Sequence, residues 1–279
     1  VKGEVVNEGV ITQQDLVIDT DGALTTNVNR MTIAADEIAN KGTLTLESGS
    51  TYSFVNDITG DTGTLVLNAG KFNANTNTKK ITQKGLELAT GTELTIKLDQ
   101  LTISDSEIKN AGTLNFSGTD TNFNHSITGT SGKLNLDGTT TIDVKGKVEN
   151  TITNAGELTI AAKNIGNEVT NTGTINLGEG NLQHAIADIQ TTKTGIMNVD
   201  GAVIVNEDTQ VIQKTLNIKS TGTMTVNMKD LEIADATISN LGTLNLKGAT
   251  TGTKLRNNID GTGNLNIQSG TITNGDAKT

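Results

Sequence analysis

The chain has 279 residues and a formal charge of −10, and only Arg30 and Arg256 supply guanidinium groups; that balance repels the phosphates of nucleic acid and anionic lipid. Its lack of cysteine excludes disulfide scaffolds, thiolate metal sites and thiol catalysis. At 33% hydrophobic and 2% aromatic, with no proline or tryptophan, it is poor in the large side chains that fill a wide globular core, and a narrow core is expected.

Residues 1–10 (VKGEVVNEGV) read as an incomplete first lap, with no charged-then-apolar leader and no initiator methionine, as expected of a processed or excised segment. From Ile11 a 36-residue unit begins, ITQQDLVIDTDGALTTNVNRMTIAADEIANKGTLTL, and it recurs from Ile81 and from Val211. In each copy 31 residues separate the first residue from an anchoring glycine, Gly42, Gly112 or Gly242. Aligned apolar places predict inward-facing positions: Met31, Leu101 and Leu231; Ile33, Ile103 and Ile233; Ile38, Ile108 and Ile238. The corner between the second and third of these sets carries Asp36, Asp105 and Asp235, read as solvated.

Each unit ends in a nine-residue motif, IANKGTLTL (Ile38 to Leu46), with close copies starting at Ile108, Ile152, Val169 and Ile238 and looser ones at Ile58, Ile127 and Ile259. Its third place holds Asn40, Asn110, Asn154, Asn171 or Asn240, or else Gly60, Gly129 or Gly261. Asparagine and glycine are the residues most at ease at positive φ, so a fixed bend is expected there. After the glycine that follows this place, Gly42 in the first copy, Leu44 and Leu46 alternate with Thr43 and Thr45, the period of a strand with one buried face. Between Thr139 and Asn206 the copies are shorter and more divergent. The least regular part, Gly178 to Gly195, holds His184 and a faint helical pattern. The last motif ends at Ile267, and the tail SGTITNGDAKT trails off without a visible cap.

Spacing selects the architecture. Glycines opening the second strand of successive copies, from Gly42 to Gly263, advance by 22 residues on average, with steps from 17 to 28. That period is a solenoid's; a propeller blade needs roughly 40 residues, and no stretch has the helical periodicity of a leucine-rich or ankyrin repeat. The fold class expected is all-β, a single-stranded parallel β-helix of about 22 residues per coil, residues 1–279 forming one solenoid domain of a longer or assembled protein. Eleven to thirteen coils at about 4.8 Å each would span roughly 50 to 60 Å. No apolar run is long enough to cross a membrane.

Candidate chemistry is sparse. The repeated asparagines could present amides to a ligand, but glycine replaces them, which favours a structural turn and an internal ladder at Asn40, Gly60, Asn110, Gly129, Asn154, Asn171, Asn240 and Gly261. Acid pairs such as Asp19 with Asp21 and Asp36 with Glu37 lack the spacing of a calcium loop and read as solvated charge. Neither His125 nor His184 has an acid and a nucleophile at recognisable spacing. The turns at Gly129–Lys133 and Gly178–Gly180 lack a phosphate-loop lysine pattern. Tyr52, Phe54, Phe72, Phe116 and Phe123 are expected to fill the core in preference to a sugar-stacking platform. No catalytic residue, metal or cofactor is assigned.

The repeated IxNxGTLNL coils, with threonine, asparagine and glycine at the turns and no cysteine, resemble the passenger regions of Gram-negative autotransporter adhesins and related large repetitive surface proteins. The resemblance covers nearly the whole chain and rests on repeats and composition. It implies a right-handed β-helix on the bacterial cell surface, acting extracellularly as an adhesive or structural stalk or fibre. The implied partners are a host or neighbouring-cell ligand and further copies joined head to tail through uncapped ends, with no nucleic acid and no membrane insertion. The alternative is a polysaccharide-active β-helix enzyme, a lyase or glycoside hydrolase.

Overall fold

Alternation along the chain gives each short strand one buried face, and parallel stacking of lap on lap brings those faces together. A computed structural model, which describes residues 1–248, 254–269 and 273–274, is all-β. It is 59% strand, with parallel strands stacked as a β-solenoid of about 13 turns of about 20 residues. The tail after Ile267 lies mostly outside the described residues. Contacts divide the chain into two units, Val1–Asp120 with Asn124–Asn135, and Thr121–Phe123 with Leu136–Thr279.

In the first unit, three core columns run from lap to lap. One stacks Leu16, Ile38, Ile58, Ile81 and Leu101 in parallel register. A second stacks Val5, Leu24, Leu44, Leu65 and Leu86. The third stacks Tyr52, Phe72, Leu94 and Leu114. Most of these side chains are buried, each contributing about 1.5–3 kcal/mol on leaving water. Interior strands pair on both edges and need every backbone N–H, which suits a chain without proline.

The second unit repeats the plan. Ile142, Leu158, Ile175, Met197 and Leu216 form one column, and Ile152, Val169, Ile186, Val211 and Leu231 another. Met224, Leu244 and Leu265 belong to a third side. All three 36-residue copies bear one 3-10 turn at the same offset, Val28–Arg30, Leu98–Gln100 and Met228–Asp230, where the chain swings from one side to the next.

Several expectations need correction. The lap is about 20 residues, not 22, because the motif is not bound to one side of the coil. In the first copy its two strands lie on the first and second columns; in the copy from Ile108 they lie on the second and third, since Lys109 pairs with Glu87 and Leu114 with Leu94. The 28-residue step from Gly63 to Gly91 therefore contains one lap and one side: Leu65 lies seven residues before Phe72, and Phe72 stands beneath Leu94. A 27-residue step, Gly195 to Gly222, does the same in the second unit through Val203 and Met224. Leu101 and Leu231 are only half-buried at their side's edge, whereas Met31 is buried. The irregular stretch from Gly178 is not helical; it forms the short strands Gly180–Leu182 and Ile186–Ala187.

Candidate functional site

The repeated asparagines are not bends. Among the described residues only Thr78 and Asp208 have positive φ without being glycine, whereas Gly60, Gly129 and Gly261 have φ of 142°, 113° and 130°. Glycine shares the motif's third place for another reason: it covers an asparagine. Gly60, Gly129 and Gly261 stand one lap beyond Asn40, Asn110 and Asn240, and a Cβ on them would lie 1.9, 2.3 and 2.0 Å from those asparagines' carbonyl oxygens. Close approach and positive φ together require glycine there.

All five asparagines are buried. Each turns its amide along the coil axis and donates from Nδ2 to a carbonyl in the following lap: Asn40 to Thr64, Asn110 to Lys133, Asn154 to Thr174, Asn171 to Ile196 and Asn240 to Asn264, at 2.9–3.2 Å. Two glutamines that the sequence did not single out extend the ladder. Gln83 Oε1 accepts from Asn40 at 2.6 Å across the Gly60 lap, and Gln213 Oε1 accepts from Asn171 at 2.6 Å. Asn154 also donates to Asn171 Oδ1 at 2.8 Å. The donor side carries the ladder, since Oδ1 of Asn40, Asn154 and Asn240 is enclosed without a partner.

The ladder position following Asn154 and Asn171 is Asp188, which is fully buried. Its carboxylate accepts N–H bonds from Gln190, Thr194 and Gly195 at 3.1, 2.6 and 2.8 Å and pins the loop between them. Burial alone would raise its pKa; the N–H groups of Gly195, Thr194 and Gln190 and the charge of Lys193 outweigh it and hold the carboxyl below its ordinary value.

A second ladder runs outside. Asn176 donates to Thr159 Oγ1, Asn198 to Asn176 and Asn217 to Asn198, at 3.1, 2.7 and 2.9 Å. The phenylalanines are inside as expected, Phe54 and Phe72 buried with ring centres 5.9 Å apart, whereas Tyr52, which meets both edge-on, is only half-buried.

Charge gathers in several surface recesses. In the first unit a small groove is lined by Glu87, Asp105, Glu107 and Lys109 with Thr64 and Ser106. The Lys109 ammonium is 2.8 Å from Glu87, and that bond, with the fields of Glu87, Glu107 and Asp105, raises the lysine pKa. The corresponding places in the other two copies, Val17, Ala35, Glu37 and Ala39, and Asn217, Asp235, Thr237 and Ser239, do not repeat it. In the second unit a larger cleft is lined by Lys147, Lys163, Ile165, Asn181, Gln183 and His184.

Remaining candidates are scattered. Asp21, Asp36 and Glu37 are exposed and Asp19 is half-exposed. Asp235 accepts from the Thr215 hydroxyl. His125 Nδ1 lies 2.7 Å from the Asp105 carbonyl. No group of three or more histidine, aspartate or glutamate side chains is placed to hold a metal, and no helix is long and apolar enough to cross a membrane, among the described residues. Comparison with known protein families, curated proteins and solved structures finds no match for the chain.

Proposed function

We propose that this chain is a non-catalytic, extracellular structural or adhesive protein of the bacterial surface, of the autotransporter-passenger kind, serving as a stalk or fibre segment. The observation that carries this reading is the use of the chain's most repeated polar residues: Asn40, Asn110, Asn154, Asn171 and Asn240 are spent inside, tying lap to lap, and are withheld from solvent. Such cross-lap bonds add stiffness along the winding direction, the property a spacer needs. Head-to-tail stacking of copies by strand addition is part of the proposal. Protease shaving of intact cells tests the location, and electron microscopy of the purified chain tests the form. Surface release with rods or filaments is the expected outcome; an intracellular pool of compact particles would overturn the reading.

A polysaccharide-active enzyme is the second reading, favoured by the three carboxylates of the Glu87–Asp105–Glu107 groove. Polysaccharide cleavage abolished by Glu87→Gln or Glu107→Gln would establish it.

A further inference from the structure

One outward column of the second unit runs from lap to lap through Asn181, Ile204, Thr225, Asn245 and Asn266. From Thr225 onward it is a ladder like the one at Asn176: Asn245 donates to Thr225 Oγ1 at 3.0 Å and Asn266 to Asn245 Oδ1 at 2.9 Å. Ile204, 45% exposed, has no polar group with which to continue it. Below Asn181 there is no strand, because Gly180–Leu182 is the first of its sheet and the preceding lap has only the 3-10 turn Ala162–Asn164 at that corner. The Asn181 amide is therefore left out of the ladder, with no hydrogen-bond partner among the described residues.

That amide lines the cleft of about 590 Å³, a volume within the range of small-ligand sites. Gln183 lies two residues on along the same face, about 7 Å away, and His184 follows it; both line the cleft and neither has a hydrogen-bond partner among the described residues. Asn181 and Gln183 are exposed and His184 is half-buried. Amides offer donors and acceptors together, and so do the hydroxyl groups that would match them. The rim carries no spare charge: Lys147 is bridged to Glu149 at 2.9 Å and Lys163 to Glu179 at 3.3 Å, so an ionised ligand must break a pair, whereas an uncharged one leaves both intact. Ile204, in register beside Asn181, adds one aliphatic surface for the C–H face of a sugar ring. Ile165 in the lining is itself buried, so a lipid or flat aromatic ligand finds no broad floor. From this lining we infer that the cleft binds a short uncharged oligosaccharide, its hydroxyls on Asn181, Gln183 and His184 and one ring against Ile204.

The inference stands apart from the stalk reading, since an inert spacer or an enzyme could equally carry such a cleft. Its test is calorimetric and NMR titration of the full chain with maltotriose, cellotriose and triacetylchitotriose, with trigalacturonate as the ionised comparison and acetyl-triglycine amide as the uncharged peptide. At least one of the neutral sugars is expected to bind with Kd on the order of 1 mM, shifting the side-chain amide signals of Asn181 and Gln183, and to bind about fivefold tighter than trigalacturonate or the peptide. Combined Asn181→Ala and Gln183→Ala should weaken it about fivefold or more with the circular dichroism unchanged. Ile204→Asn, which keeps every lining residue, should join Asn181 to Thr225 through a restored rung and weaken binding about threefold; it also covers the case of a misfolded double variant. No binding of any neutral sugar at millimolar concentration, equal affinity for trigalacturonate or the peptide, or full binding by the variants would each overturn the inference.

Discussion

Replacing Asn171 by leucine removes a rung of the internal ladder while nearly preserving volume. The side chain is fully buried, donates to Ile196 O at 3.2 Å and to Gln213 Oε1 at 2.6 Å, and accepts from Asn154 at 2.8 Å. Three lost bonds at about 1 kcal/mol each, plus about 1 to 3 kcal/mol for leaving the Gln213 oxygen enclosed, give about 4 to 6 kcal/mol. Asn198→Leu is the matched comparison: it also loses two amide bonds, to Asn176 and from Asn217, but its position is half-exposed and water replaces them, so about 0 to 1 kcal/mol is expected. Urea unfolding followed by circular dichroism measures both, and amide exchange at Ile196 and Thr215 shows where the damage lies. In the pair Asn171→Leu with Gln213→Leu the losses should fall short of additive by about 1 kcal/mol or more, because one change already spoils the shared bond. Equal destabilisation by Asn171→Leu and Asn198→Leu would refute the claim that enclosure gives the ladder its weight.

Gly60→Ala should cost more than about 3 kcal/mol, as its Cβ would meet the Asn40 carbonyl at 1.9 Å with φ at 142°; Gly49→Ala, with nothing within 4 Å, should be near neutral in the same melt. Asn110→Gly should destabilise and not be tolerated, because the amide donates to Lys133 O and accepts from Gly112 N; unchanged urea midpoints would contradict this. Asp188 has a folded pKa below its ordinary 3.8. Its stabilising share is therefore present above that value and lost as pH falls through the lower folded value. Asp188→Asn should flatten the acid limb of the stability curve in that window, and acid titrations of the two proteins that superimpose would contradict the assignment. Asp137, held low by Thr139 and Thr140 against the opposing effect of burial, should keep the remaining acid dependence.

The winding fold was legible because solenoid cores are written locally: Leu44 and Leu46, or Leu114 and Phe116, are inward by simple alternation, and their glycine turns recur. The ladder positions were legible for the same reason, but their conformation was not. Asparagine and glycine at one motif place suggested shared backbone preference, whereas the cause lies in the neighbouring lap, where Gly60 must admit the Asn40 carbonyl. Gln83 and Gln213 escaped notice because each sits outside the nine-residue motif and reaches two laps back, 43 and 42 residues. Both share one offset from the start of a 36-residue copy, Gln83 from Ile81 and Gln213 from Val211, a signal that alignment of the copies did contain. The side-slip of the motif was hidden since counting glycines cannot separate a long lap from a lap plus one side. Nor could the cleft beside Lys147, Lys163 and His184 be read, because it depends on where a side is missing from the coil.

Paired cysteines test the register directly, in a chain with no cysteine of its own. Val66 and Glu87 are in-register neighbours on adjacent laps, about 4.8 Å apart and within disulfide reach. Thr95, the residue that matches Val66 if each motif simply stacks on the next, instead pairs with Asn73. Val66→Cys with Glu87→Cys should form a disulfide under mild oxidation, and Val66→Cys with Thr95→Cys should not. The reverse outcome would contradict the lap assignment and the core built on it.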